Sequence, residues 1–92
     1  MKVVMRDEAN ADLEEVFDYY QGEREGLGLE FLDEFRHGVE RILEHPEGWQ
    51  SLDPTRRRYR MRRFPYGLIY RIEPAQDKIV ILAVVHMSRH RQ

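Results

Sequence analysis

From Arg56 to Ile72 the chain reads RRRYRMRRFPYGLIYRI, and six of the eight residues from 56 to 63 are arginine (Arg56, Arg57, Arg58, Arg60, Arg62 and Arg63). A guanidinium is always charged and planar, and its N–H groups form a fork that fits a carboxylate or phosphate with two parallel hydrogen bonds. A strand needs one polar face for solvent, but it does not need that face to be nearly all guanidinium. The density predicts a surface built to meet anions. His86, at the end of an apolar run, adds a group whose charge changes near neutral pH; a histidine in that place also commonly caps a sheet or bonds a carbonyl. His86 and His90 are four apart, which suits metal on a helix, but no third ligand accompanies them. No metal and no other cofactor is expected.

Charge divides the chain. Residues 1–55 hold 15 carboxylates against 5 Lys and Arg, and residues 56–92 hold 2 against 10, so a net charge of -2 hides an acidic half and a basic half. Partners follow from the asymmetry rather than from the sum, unless the halves pair with each other. Ninety-two residues predict one domain spanning 1–92, able to bury roughly two-thirds of its unfolded surface. The absence of cysteine excludes disulfides and thiolate metal sites and fits a reducing cytoplasm. No apolar run approaches the ~20 residues of a membrane span, and the apolar core of MKVVMRDEAN is too short for a signal peptide. No membrane association is expected.

The elements that must carry the arginines can be read from periodicity. Lys2 to Met5 predicts a short strand, and Asp7 a helix N-cap with Glu8 in the first turn. Ala9, Leu13, Val16, Phe17 and Tyr20 form one apolar stripe, with Tyr19 left exposed. Gly22, Gly26 and Gly28 mark the end of that helix and a tight connection. A second helix runs from about Leu29 to Glu44 on the seam Leu32, Phe35, Val39 and Ile42, widened by Phe31 and Leu43, and stops at His45-Pro46. Trp49 anchors the following loop. Three strands complete the chain. Arg57 to Phe64 puts Tyr59, Met61 and Arg63 on one face and Arg58, Arg60, Arg62 and Phe64 on the other. Pro65-Tyr66-Gly67 forms a turn, Leu68 to Glu73 the next strand, Pro74 to Asp77 a second turn. Ile79 to Val85 reads as a central strand covered on both faces. The fold class is α+β: an N-terminal strand, an antiparallel two-helix hairpin and a three-stranded antiparallel β-meander, with the hairpin on one face of an antiparallel sheet.

Ordered this way, the chain resembles the RelE/ParE superfamily, the toxins of bacterial type II toxin–antitoxin pairs. The resemblance covers nearly all of it: Ala11-Asp12-Leu13 and Tyr19-Tyr20, then Gly28 with Phe31, Glu34 and Phe35, then Pro46, then Arg63-Phe64-Pro65-Tyr66-Gly67-Leu68-Ile69-Tyr70, and finally Ile81 through His86 with Arg89. It implies a cognate antitoxin, a heteromeric complex with it, and one of three activities. RelE-like members cut messenger RNA on the ribosome, ParE-like members inhibit DNA gyrase, and a member without toxicity would only bind its antitoxin.

Cleavage through a 2′-hydroxyl needs a base, an acid and cations around the phosphate. His86 is the available acid or base, Arg58, Arg60, Arg62 and Arg89 the available clamps, and Tyr66 or Tyr70 a donor only with an altered pKa. The resemblance places a catalytic arginine of RelE-like nucleases at the position of Gly67, and a catalytic tyrosine near their C-terminus, where nothing after His86 is aromatic here. Phe64-Pro65-Tyr66 is more ParE-like. The expected reading is a ParE-like inhibitor with no catalytic residues. Arg58, Arg60, Arg62, His86, Arg89 and Arg91 would bind the target or antitoxin. The nuclease set, His86, Arg60, Arg62 and Arg89, is the alternative. The arginines could instead contact phosphate, or form a charged, solvated strand edge; an acidic antitoxin segment fits the family best.

Overall fold

The computed structural model describes residues 1–88. A strand β1 (Lys2–Met5) leads into helices α1 (Asp7–Glu23) and α2 (Leu27–Glu44). Strands β2 (Gln50–Ser51), β3 (Arg57–Arg60), β4 (Tyr66–Glu73) and β5 (Lys78–His86) follow, with a 3-10 turn at Pro74–Gln76. The sheet order is β1-β5-β4-β3-β2. The meander β3-β4-β5 is antiparallel as expected, but β1 pairs with β5 in parallel, Lys2 beside Lys78 and Met5 beside Ile81. The sheet is therefore mixed rather than antiparallel. A parallel pair needs a long crossover, and here everything between the two strands supplies it. The two-residue strand β2 lies inside the expected loop of residues 46–55 and pairs antiparallel with β3.

Local sequence sets the helix ends. Arg6, not Asp7, is the N-cap, and it makes no side-chain capping bond. Asp7 and Glu8 instead sit in the first turn, where carboxylates face the positive end of the helix dipole. Gly26, at φ 92°, turns the chain into α2 two residues earlier than the seam predicts. Gly22 lies inside α1 and Gly28 inside α2, so only Gly26 has the role of a connector. Gly28 serves packing: a Cβ there would stand 2.8 Å from the Phe17 carbonyl, and its N–H donates to Gln21 Oε1 at 2.8 Å.

The core lies between the helices and one face of the sheet. Phe31, Ile42, Tyr59, Leu68, Tyr70, Ile79 and Ile81 are fully buried there. Gly38 lets the Tyr59 ring lie directly on α2, where a Cβ would meet ring carbon Cε2 at 2.8 Å. Trp49 closes the loop end, its ring perpendicular to Tyr59 at 4.7 Å and its Nε1 donating to the Arg41 carbonyl at 3.3 Å. A bulge between Ile69 and Tyr70 shifts the register against β5. It explains why Ile79, Ile81 and Val84 all join the helix-side core despite unequal spacing. The strand buried along its length is β4 from Tyr66 to Tyr70, whereas Leu82, Ala83 and Val85 of β5 are part-exposed. Beyond Met5, β5 loses its parallel neighbour, and Asp12 Oδ2 of α1 accepts the Val84 N–H at 3.0 Å.

Candidate anion-recognition face

Alternation along β3 sorts the first arginines. Arg57 pairs with Tyr70 and Tyr59 with Leu68, on the helix side. Arg58 pairs with Ile69 and Arg60 with Gly67, on the face that no helix covers. The strand ends at Arg60, short of the expected Phe64, and the pattern ends with it. Phe64 packs at 4.9 Å from Tyr20 and 5.2 Å from Phe31, on the helix side rather than beside Arg58 and Arg60. Arg62 and Arg63 are exposed in the loop between β3 and β4. That loop is pinned by its own backbone: Met61 N–H to Tyr66 O at 2.9 Å, Tyr66 N–H to Phe64 O at 2.7 Å and Met87 N–H to Pro65 O at 2.8 Å.

The arginines then divide by partner. Arg56 Nε donates to Asp53 Oδ2 at 2.8 Å, and the same carboxylate accepts from Thr55 and from the Arg56 backbone. These bonds, with Arg56 first, hold the Asp53 carboxyl down at about 2. Arg57 Nη1 donates to the carbonyls of Glu47 and Trp49 and ties the loop before β2. Arg63 Nη2 reaches Glu30 Oε1 of α2 at 2.8 Å, and its Cζ lies 5.3 Å from the centroid of the Phe64 ring. The Arg63 hydrogen bond keeps the Glu30 carboxyl below its ordinary value. Arg58 Nη2 donates to the neutral amide of Gln50 at 2.7 Å, which leaves its charge uncompensated. Arg60 and Arg62 are exposed, and their side chains have no hydrogen bond or ion pair among the described residues. Among the described residues, four of the run of six lack a carboxylate partner: Arg57, tied to backbone carbonyls, Arg58 and Arg60 on the open face of the sheet, and Arg62 in the adjoining loop.

His86 belongs to a different place. It pairs with Tyr66, and the two rings meet edge to face at 5.0 Å. Tyr66 packs 5.6 Å from Phe31 of α2, so His86 opens on the helix side, away from Arg58 and Arg60. A cleft of about 310 Å³ adjoins it, lined by Asp12, Glu15, Val16, Tyr19, Tyr66, Val84 and His86. Its Nδ1 accepts the Ser88 N–H at 3.2 Å. Tyr70 donates its hydroxyl to the Pro46 carbonyl at 2.6 Å, and burial pushes it up to about 12, away from any proton transfer at neutral pH. No group of three His, Cys, Asp or Glu positioned for a metal occurs among the described residues. Arg89, His90 and Arg91 lie outside the described residues.

Sequence reasoning missed the tethers of Arg57 and Arg63 and the part Asp12 plays at β5. For Arg63 no local signal existed, since Glu30 stands on another element. For Asp12 a signal did exist: it is a carboxylate just off the apolar stripe of α1.

Comparison with known proteins follows the fold. A family model described as "ParE toxin of type II toxin-antitoxin system, parDE" matches residues 3–91. Among solved structures, one of the chromosomal ParDE TA system from P. aeruginosa is similar, with a TM-score of 0.79 and 21% sequence identity over 94% of this chain and 95% of that one. At that identity the likeness bears on the fold. Nothing matches among curated protein sequences. Among the described residues, no helix is long and apolar enough to cross a membrane.

Proposed function

The chain belongs to the ParE toxin family of type II toxin–antitoxin systems, and from that premise we propose that it acts in the cytoplasm by binding and inhibiting its target rather than by cutting nucleic acid. DNA gyrase is the target that the family suggests. A cognate antitoxin neutralises the toxin by laying an acidic segment across the uncovered sheet face, in a heteromeric complex. Arg58, Arg60 and Arg62 contribute the electrostatic recognition, and Arg89 and Arg91 extend it; His86 contributes to binding from the helix side.

The observation that carries this reading is the separation of His86 from Arg60. A phosphodiester cleaved by His86 would need the arginine clamp within reach of the same phosphate, yet the two open on opposite faces of the sheet. Tyr70 adds nothing to acid–base chemistry, because its hydroxyl is locked to the Pro46 carbonyl. What remains is charge density on an accessible surface, which speeds encounter and sets orientation for an acidic partner.

The test is a pair of assays on the purified chain. Inhibition of gyrase supercoiling without codon-linked cleavage of messenger RNA on translating ribosomes is the expected result. Messenger cleavage that disappears in a folded His86→Ala variant would overturn it. A small neighbouring reading frame that binds this chain tightly identifies the antitoxin.

A further inference from the structure

Gly67 lies in β4 directly across from Arg60, on the uncovered face, and it is buried. Its φ is not positive, so the backbone does not require glycine; the space above it does. A Cβ built there would stand 3.2 Å from both Cγ and Cδ of Arg58 and 2.8 Å from Sδ of Met87. The hollow left by the absent side chain is therefore filled from two sides, by the stem of a cation in the next strand and by the thioether just past β5. The Met87 backbone is held by its N–H to the Pro65 carbonyl, which places the thioether beside the loop that carries Arg62 and Arg63.

We propose that Gly67 is a positioning residue of the basic face: its missing side chain seats the stem of Arg58, so that the guanidinium reaches Gln50 and stands beside Arg60 as one recognition unit. This deepens the anion-recognition reading given above and rests on it. Arginine binds through a fork whose aim is fixed by its stem, and packing that stem against a backbone removes rotamers that would otherwise be lost on binding. A side chain at 67 lifts the stem from the sheet, frees the fork and separates it from Arg60. The fold tolerates this, because the crowded atoms belong to flexible side chains and the replacement also lowers the entropy of the unfolded chain. The loss is one of recognition.

The probe is a fluorescein-labelled hexaglutamate peptide, titrated against the full chain at several salt concentrations. Arg58→Gln is expected to weaken binding about tenfold, the scale of one hydrogen bond to a charged group, and to flatten the salt dependence. Gly67→Val should produce the same loss with an unchanged unfolding midpoint, and the double variant should be no weaker than either single one, because both remove one interaction. Gly67→Ala should fall between, and Met87→Ala added to it should restore binding by opening the hollow on the other side. The Nε–Hε NMR signal of Arg58 should shift and broaden in Gly67→Ala and Gly67→Val. Losses that multiply in the double variant, or full binding by Gly67→Val, would overturn the proposal. If the unaltered chain fails to bind hexaglutamate, the reading of the face is what fails, and the Arg58 signal then decides the positioning role alone: an unmoved signal in both variants sinks it.

Discussion

Tyr59 and Arg60 are consecutive in β3 and meet opposite surroundings. Tyr59 is 2% exposed, wedged between Trp49 and the bare backbone of Gly38, with its hydroxyl accepting from Arg41 Nη1 at 3.1 Å. Arg60 stands in solvent without a partner among the described residues. The helix side of the sheet is organised by rings: Tyr20, Phe31, Phe64 and Tyr66 form a network of contacts, most of them edge to face. The other side carries charge laid over a bare glycine and over Ile69 and Val80, which are buried outside the helix-side core. The ring-packed core and the arginines thus occupy opposite faces of one sheet, and the strand period of two keeps them apart. A partner can use the second face without disturbing the first.

That division can be tested from its strongest side to its weakest. Ile42→Ala removes a fully buried side chain under the sheet, and a loss of roughly 2–5 kcal/mol in urea unfolding is expected. Gly38→Ala adds one methyl against the Tyr59 ring and should cost about 1–3 kcal/mol, although alanine is the better helix former by about 1 kcal/mol. A stabilised Gly38→Ala protein would mean that the ring side yields easily, and the contrast between faces would weaken. Tyr70→Phe should cost about 1 kcal/mol by leaving the Pro46 carbonyl without its donor.

The same variant has a pH signature. Unfolded tyrosine ionises near 10, while burial pushes folded Tyr70 up to about 12. Between those values the folded chain holds more protons than the unfolded one, so stability falls as pH rises through the window. Tyr70→Phe should flatten that alkaline limb in pH-dependent melting. At the weak end, reversing Arg60 and Arg62 to glutamate should move stability by no more than about 0.5 kcal/mol, while partner affinity drops and loses its salt dependence. A comparable loss of stability would show the arginine face to be structural after all.

Much of this was legible beforehand. The apolar stripes of Val16 and Tyr20, and of Phe35 and Ile42, give both helices, because burial on one side imposes a 3.6-residue period. The run from Leu68 to Glu73 gives its strand, although β4 begins at Tyr66 and so takes in Tyr66 and Gly67, which were expected in the turn. What escaped has long-range causes. Phe64 was assigned to the arginine side because alternation was carried past Arg60, where the chain leaves the sheet to place Phe64 between Tyr20 and Phe31. The parallel pairing of β1 is invisible locally, since a four-residue strand carries no mark of its neighbour. Of the candidate site, Arg58 and Arg60 share a face as read from the strand period. Their neighbour Arg63 is diverted by Glu30, and no pattern within either segment announces that bond.

The pairing of Lys2–Met5 with Lys78–Ile81 has one further consequence. β1 takes its place in the sheet only once residues 78–81 exist, so its pairing waits on a segment far along the chain. A polypeptide halted before residue 78 therefore lacks β5 and leaves β1 without its partner strand.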